Sequence, residues 1–499
     1  MLRRHFLQIV VAGGVASSFG PLGRAAKAAA HIFPEVKGLT RYVVDFIRKT
    51  QYSDIPTEVL EIGKKHILDG FGLALAGSMV TTGHISRKYV RGLGLCSGNS
   101  TVIGTPMKAM PQYAAFLNGI SIHTNDYDDS QMALGNRVSG MLMHPTATAL
   151  PPAFSLGEPA GISGKDMMLA YHLGVEVECK IAQAISPRSY ESGFHTTGVV
   201  GPFGAVTASV KLRHLDEDEC LNAFGIAGAE GAGLQANLGT MTKPFHAGNA
   251  CQSGIVAADL AALGWTATHE ALEAPGGFFH AYGGTYDPGY LLNKLGSPWT
   301  FADPGLSIKE YPCGVLTQPG MDEMLRLIRQ YEITPDQVES VDVGTNEPAY
   351  AVLIRHDPQN GLQSKFSMEF CMAIMLLEGK AGLQQFTDAV VFRPDVQAMI
   401  HRVRYRPSAA AAAGGLNKMT TIIEIHLKDG RTVSGRAAYA KGSPAHPMSF
   451  EDEAEKFRGC ADFVHWPRQK TEKIIESVRR LESVPDIRQL TPLLSAAAA

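Results

Sequence analysis

The spacing of hydrophobic residues changes along the chain near residue 300, and this change limits the folds that it can adopt. From about residue 35, apolar side chains recur at helical spacing, as in 58–69. Beyond residue 300, segments such as Val338–Val343 alternate in the manner of strands, and helical spacing returns near residue 441. The pattern predicts a mainly α protein with an inserted α+β domain. We expect a large all-helical domain at 35–300, a smaller α/β lid domain at 301–440, and a helical return segment at 441–495.

Small residues recur at helical spacing within the predicted helical domain. Gly198, Gly201, Gly204 and Ala208 lie three or four positions apart, which predicts helices that approach one another closely. These glycines do not form the Gly-x-Gly-x-x-Gly fingerprint, and no strand precedes them, so we exclude a nicotinamide site.

The lid sequence contains a strong hairpin signal. The runs Thr420–Leu427 and Thr432–Tyr439 are rich in β-formers and flank an Asp429-Gly430 turn. The Ala-rich run Ala409–Gly415 is expected to be a surface loop. A cleft between a helical domain and a lid of this kind is a natural place for a small-molecule site.

The N-terminus has the composition of an export signal. Arg3 and Arg4 precede an apolar run from Ile9 to Phe19 and an Ala-rich stretch that ends at Ala30. This pattern predicts a twin-arginine signal peptide over 1–30 and a periplasmic protein, with a cytoplasmic leader as the alternative. The run is shorter than the roughly 20 residues that span a bilayer, so no membrane contact is expected after signal removal. The tail 496–499 is expected to be frayed.

The overall composition excludes two classes of function. The net charge of −3 provides no basic field for nucleic acid. The seven cysteines form no Cys-x-x-Cys pair, which argues against a disulfide framework or a zinc site.

A polar cluster, His123-Thr124-Asn125-Asp126-Tyr127-Asp128-Asp129-Ser130, interrupts the helical pattern and is followed by His144. Its acids do not fit a calcium loop, because Gln131 stands where an EF-hand counted from Asp126 needs glycine. Helix capping is the alternative role for Asp128 and Asp129.

Three further clusters combine histidine or lysine with small residues. His195 and Thr196 open a helical run, whose N-terminus would attract carboxylates. Lys243 lies near His246 in a Gly- and Ala-rich segment, and the segment that begins at Lys309 is at the join to the lid. Histidine can abstract a proton next to a carboxylate near neutral pH, and lysine can stabilise the resulting negative charge. The residues therefore favour an enzyme that acts on a small polycarboxylate.

These clusters resemble the MmgE/PrpD family, which includes 2-methylcitrate dehydratase, cis-aconitate decarboxylase and iminodisuccinate epimerase. The matching segments lie in family order between about residues 37 and 460: HTNDYDDS with a later HPTA, GFHTTGVVGPFGAV, GLQANLGTMTKPFHAGNA, KEYPCG and SKFSMEFCMAIMLLEG. The resemblance implies a helical domain with an α/β lid, a homodimer, and a site between the two parts that uses no metal or organic cofactor.

The resemblance also implies roles for individual residues. His144 and His195 are expected to transfer protons, Lys243 and Lys309 to bind carboxylates, and Asp126 to orient a histidine or contact substrate. The expected substrate-binding residues are Ser130, Thr196, His246 and Cys313.

The chain departs from the family pattern at two of its site positions. Ser130 replaces the usual threonine and keeps the hydroxyl, whereas Gly314 stands where several members, the decarboxylases among them, have histidine. The expected function is therefore a metal-independent lyase that dehydrates a hydroxy-polycarboxylate, in the manner of 2-methylcitrate dehydratase. The alternatives are an isomerase or epimerase, a decarboxylase, and a periplasmic carboxylate-binding protein without turnover.

Overall fold

The structure, a computed structural model, describes residues 33–131, 143–414 and 418–496. The predicted signal peptide at 1–30 and the end of the Ala-rich tail lie outside these residues. The contacts of Phe33–Ala499 form one unit, so the domain boundaries predicted within it stay a prediction. No described helix is both long enough and apolar enough to cross a bilayer.

Most of the described chain is helical, which confirms the predicted fold class. The helices that precede the lid are α1 Leu39–Lys49, α2 Thr57–Ser78, α3 Thr81–Gly92, α4 Pro111–His123, α5 Thr146–Ala160, α6 Gly164–Ile185, α7 Arg188–Glu191, α8 Thr196–Arg213, α9 Glu217–Ala229 and α10 Thr242–Ala262. A short antiparallel pair, β1 Ser100–Thr101 and β2 Lys108–Ala109, lies in a stretch that helical spacing had been predicted to cover.

Helix α8 lies at the centre of the helical part and packs against α5, α6 and α10. It is buried along nearly its whole length, as expected for a helix with apolar residues on every side. Its glycines allow the close approach that their spacing predicts. A Cβ on Gly198 would lie 2.2 Å from the carbonyl oxygen of Ala232, and one on Gly201 would lie 2.6 Å from Thr148 Cγ2.

The lid, defined here as residues 311–440, contains the main sheet. Its helices are α11 Gln318–Tyr331, α12 Glu347–Val352, α13 Gly361–Ser364, α14 Met368–Glu378, α15 Asp388–Val391, α16 Pro394–Ile400 and α17 Ala409–Ala412. Its strands are β3 Val338–Thr345, β4 Val403–Pro407, β5 Thr421–Leu427 and β6 Thr432–Ala437, in the order β4-β3-β5-β6. The predicted hairpin is β5–β6, and β4 pairs parallel to β3. The expected loop at Ala409 is instead one helical turn, because Ser408 Oγ accepts a hydrogen bond from Ala411 N.

The return segment contains α18 Phe450–Phe463, α19 Arg468–Arg479 and α20 Thr491–Leu494. Helix α18 packs on α2, and Lys456 of α18 forms a buried ion pair with Asp69 of α2 at 2.7 Å. Lys456 also donates to the carbonyl oxygen of Tyr127 at 2.9 Å. The return segment therefore supports the loop after α4, which contains several of the predicted site residues.

Candidate active site

A cavity of about 30 Å³ lies between the helical part and the lid. Its polar lining residues are Asp126, His144, Tyr190, His195, Lys243 and Lys309. All five residues predicted to be catalytic therefore meet at one cavity. The volume accommodates a water molecule or two, so the two walls must separate to admit a larger substrate.

Asp126 lies between two buried ammonium groups. Lys243 Nζ contacts its Oδ1, and Lys309 Nζ lies 3.2 Å from the same oxygen and 2.9 Å from the backbone carbonyl of Asp126. Burial alone would raise the pKa of Asp126, but the two ammonium groups outweigh it and hold that pKa well below its ordinary value. The residue has a φ of 51° in the loop after α4, a conformation that Asp and Asn tolerate better than most residues.

A third ammonium group, which sequence reasoning missed, approaches from the lid. Lys365 is buried just before α14, and its Nζ donates to the carbonyl oxygens of Asn125 at 2.8 Å and Pro312 at 3.0 Å. Burial lowers the pKa of Lys365 to about 8, partly opposed by Asp126. The lysine lies in the segment SKFSMEF, but its position in the chain gives no sign that it is buried.

His144 precedes α5, and its hydrogen bonds define which ring nitrogen is free. Its Nδ1 lies 2.8 Å from the carbonyl oxygen of Asp129, so Nδ1–H is the donor and Nε2 keeps its lone pair. Ser130 Oγ lies 3.2 Å from the same Nδ1. Burial, together with the Lys243 and Lys309 charges and against that of Asp128, lowers the pKa of His144 well below its ordinary value. His144 is therefore a neutral base near pH 7.

His195 is the N-cap residue of α8 and pairs with a second imidazole. Its Nδ1 lies 3.1 Å from Nδ1 of His246, so one ring donates to the other. Its Nε2 is buried and has no hydrogen-bond partner among the residues that the structure describes. Burial and the Lys243 charge lower the pKa of His195 well below its ordinary value, and they lower that of His246 to about 4.

His123, the last residue of α4, is a further buried imidazole beside these two. Its Nδ1 lies 2.7 Å from Asp128 Oδ2, and no residue in the described part of the chain bonds to its Nε2. Its ring stacks on that of His195 with centroids 5.7 Å apart, and it lies 4.7 Å from the ring of His144. Burial and the Lys243 charge keep the pKa of His123 well below its ordinary value.

The two acids after Tyr127 have separate roles. Asp129 accepts hydrogen bonds from the backbone N–H of Thr146 at 3.2 Å and from its hydroxyl at 2.7 Å, and His66 Nδ1 lies 2.8 Å from it. Since Thr146 begins α5, this matches the capping alternative for Asp129. Asp128 instead orients His123.

Within this site, His123, His144 and His195 could hold a metal, because one ring nitrogen from each lies within 4.8 Å of the other two. Three neutral imidazoles can bind a transition metal. The charges of Lys243 and Lys309 next to the rings disfavour a further cation and suit an anion. The expected absence of a metal stays a prediction.

None of the four predicted substrate-binding residues, Ser130, Thr196, His246 and Cys313, belongs to the cavity lining. Thr196 is buried at the start of α8, with its hydroxyl unpartnered. His246 contacts His195, and the Cys313 thiol lies 3.0 Å from Thr317 Oγ1 within the lid core. Ser130 contacts His144, and the substrate-binding roles of the four residues stay predictions.

The remaining cavity lining is apolar and comes mostly from the lid: Leu238, Val315, Leu316, Val352, Leu353 and Phe366. Gly314 belongs to this wall, and a Cβ there would lie 3.3 Å from Leu353 Cδ2. Tyr190 adds a hydroxyl, and burial raises its pKa, so the phenol stays protonated. Sequence reasoning missed both the apolar wall and Tyr190.

Comparison with known proteins agrees with this arrangement. Models of the MmgE/PrpD N-terminal and C-terminal domains match residues 41–291 and 311–482. The human cis-aconitate decarboxylase is 29% identical over 475 residues, covering 92% of this chain and 95% of the human protein. The Aspergillus terreus cis-aconitate decarboxylase is 28% identical over 488 residues, covering 92% of this chain and 96% of its own. The chain belongs to the MmgE/PrpD family.

Proposed function

We propose that the protein is a lyase that removes water from a small hydroxy-polycarboxylate without a metal ion. The observation that carries this proposal is a neutral base, His144 Nε2, on the same cavity as Lys243 and Lys309. Two ammonium groups bind carboxylates and stabilise the charge that develops when an adjacent carbon loses its proton. The lid wall excludes water, which strengthens these charge interactions.

The elimination uses both histidines of the cavity. His144 Nε2 takes the proton α to a carboxylate, and the electrons of that C–H bond form the new double bond. The C–O bond breaks, and the departing oxygen takes a proton from His195 Nε2 and leaves as water. His195 is then reprotonated at Nδ1 by His246, whose own proton is replaced from solvent; the 3.1 Å contact between the two Nδ1 atoms supports this step.

The names of the relatives support a second candidate, decarboxylation of a cis-aconitate-like acid. Gly314 counts against it, because the decarboxylases that the sequence resembles have histidine there. An epimerase would share the first proton transfer and would return the proton to the opposite face of the carbon.

The test is a panel of acids with purified protein in D2O: citrate, 2-methylcitrate, cis-aconitate, tartrate and aspartate-derived acids. Dehydration gives an alkene that absorbs in the far ultraviolet, epimerisation exchanges the α-hydrogen without an alkene, and decarboxylation releases carbon dioxide. Tight binding with none of these products over hours would overturn the proposal in favour of a carboxylate-binding protein.

We also propose that the enzyme is exported through the twin-arginine pathway, on the basis of Arg3, Arg4 and the apolar run that follows. Replacing both arginines with lysine should retain the protein in the cytoplasm, as measured by cell fractionation with a periplasmic marker. Unchanged distribution of the double variant would refute export by this route.

A further inference from the structure

Three imidazoles in the site each have one ring nitrogen in a hydrogen bond. The Nδ1 atoms of His123, His144 and His195 are hydrogen-bonded to Asp128, to the carbonyl of Asp129 and to His246. The nitrogens left for a ligand are therefore the three Nε2 atoms. Those of His123 and His195 are buried without a partner among the described residues, and a buried polar atom of this kind is a candidate for binding water or a ligand.

The three rings are close enough to share one small ligand atom. One ring nitrogen from each lies within 4.8 Å of the other two. If the clustered atoms are the Nε2 atoms, which the hydrogen-bonded Nδ1 atoms favour, they share a position within about 2.8 Å of each, the length of a hydrogen bond to oxygen. His144 and His195 also line the cavity of about 30 Å³, which has room for such an oxygen, and the ring of His123 lies behind them.

The hydrogen-bonding character of the three nitrogens fits an oxygen that carries hydrogen. Nδ1 of His123 donates to a carboxylate and Nδ1 of His144 donates to a carbonyl, so both Nε2 atoms are acceptors. His195 presents Nε2–H when His246 donates to its Nδ1. Two acceptors and one donor match a water molecule, and one acceptor with the donor matches an alcohol.

We propose that His123, His144 and His195 bind the oxygen that leaves the substrate, and that His123 is a third catalytic residue. This inference rests on the proposed dehydration. Before elimination, the substrate hydroxyl donates to His123 Nε2 and accepts from His195 Nε2–H, which aims an oxygen lone pair at the proton donor.

The same three nitrogens also fit the product. After elimination, His144 carries the proton taken from carbon, and His195 has given its Nε2 proton to the oxygen. The released water then donates to His123 and His195 and accepts from His144. Asp128, 2.7 Å from His123 and 3.8 Å from His144, stabilises the positive charge that His144 gains.

The experiment compares His123→Phe and His123→Gln with the wild-type enzyme on citrate and 2-methylcitrate. Loss of one hydrogen bond to the departing oxygen should lower kcat about tenfold to a hundredfold, with KM changed less than threefold. The matched control is His172→Gln, which alters a buried histidine of α6 whose Nδ1 contacts the carbonyl of Met168 at 2.6 Å. The control should keep wild-type kcat.

A second readout separates a chemical role from a structural one. In the chloro analogue of citrate, chloride replaces the hydroxyl and leaves without a proton, so His123→Phe should slow its elimination less than threefold. An equal loss on both substrates would overturn the inference, as would kcat within threefold of wild type on the hydroxy acids.

Metal analysis gives the competing outcome. After dialysis against zinc, elemental analysis should find the same zinc content in the wild-type enzyme and in His123→Phe. One zinc per chain that is lost in His123→Phe would overturn the inference, because the three nitrogens would then bind a metal. Absence of turnover in the wild-type enzyme with the whole panel would instead reject the proposed function itself.

Discussion

Replacing Asp126 with asparagine should strongly destabilise the folded protein. Its side chain is 4% exposed and pairs with Lys243 and Lys309, whose side chains are 5% and 1% exposed. Asparagine keeps the shape of the side chain and tolerates the φ of 51°. The substitution therefore removes one negative charge and leaves two buried ammonium groups without it.

The expected loss follows from this burial. Removing one partner of a buried ion pair typically costs about 3–5 kcal/mol, because the remaining charge stays desolvated and unpaired. Water and salt screen this pair little, so the loss should persist at high ionic strength. Asp126→Asn combined with Lys243→Met should recover at least half of the loss, because one of the two unpaired charges is then gone.

Urea unfolding followed by far-ultraviolet circular dichroism and tryptophan fluorescence measures the effect. The control is Asp45→Asn, which breaks the exposed pair between Asp45 and Lys49 at 2.9 Å and should cost less than about 1 kcal/mol. Citrate should stabilise Asp126→Asn more than the wild type, since its carboxylates can replace the missing charge. A loss below about 1 kcal/mol, or a double variant no more stable than the single one, would refute the reasoning.

Four further outcomes are expected. His195→Ala should lower kcat about 10²- to 10⁴-fold while circular dichroism stays unchanged; activity within tenfold of wild type would exclude it as the acid. Lys243→Met should mainly raise KM, and an unchanged KM would contradict carboxylate binding there. The pKa values of His144 and His195 are depressed, so the rise of kcat/KM with pH should be complete by pH 6.5. A rise whose midpoint lies above pH 6.5 would contradict their neutral state. Tyr89 is 57% exposed and Phe245 is 46% exposed, and both contact the buried ring of Phe116. Tyr89→Lys should therefore weaken the expected homodimer and lower the mass measured by light scattering. An unchanged mass would place the interface elsewhere.

Local sequence patterns predicted those elements whose structure depends mainly on residues close together in the chain. The Asp-Gly turn determines how β5 pairs with β6, and helical spacing marks α8 and α18. Strand β4 is different: Val403 and Tyr405 alternate with arginines, but only the parallel pairing with β3, across more than 50 residues, makes this segment a strand. Such pairing depends on tertiary contacts.

The site was predictable where residue type alone indicates chemistry. Asp126 and Lys243 were predicted, and they lie on the cavity. The family resemblance implied that His246 binds substrate, but its ring lies against His195. Lys365 could not be recognised from sequence, since a single lysine is normally exposed and only the fold buries it against Asn125 and Pro312.

The hydrogen bonds of the histidines, more than their identity, decide which reaction this site favours. His144 is fixed as a base by a backbone carbonyl, which can only accept, so it can begin any reaction that removes an α-proton. His195 is held by another imidazole, which can either donate or accept, so it can give a proton and regain one. Elimination of water requires a base whose free nitrogen is defined and, beside it, an acid that can be reprotonated after each turnover. Decarboxylation requires a proton donor at the carbon that loses carbon dioxide, and Gly314 supplies no side chain to the cavity wall. These hydrogen bonds therefore support the proposed dehydration, which the panel of acids tests against decarboxylation.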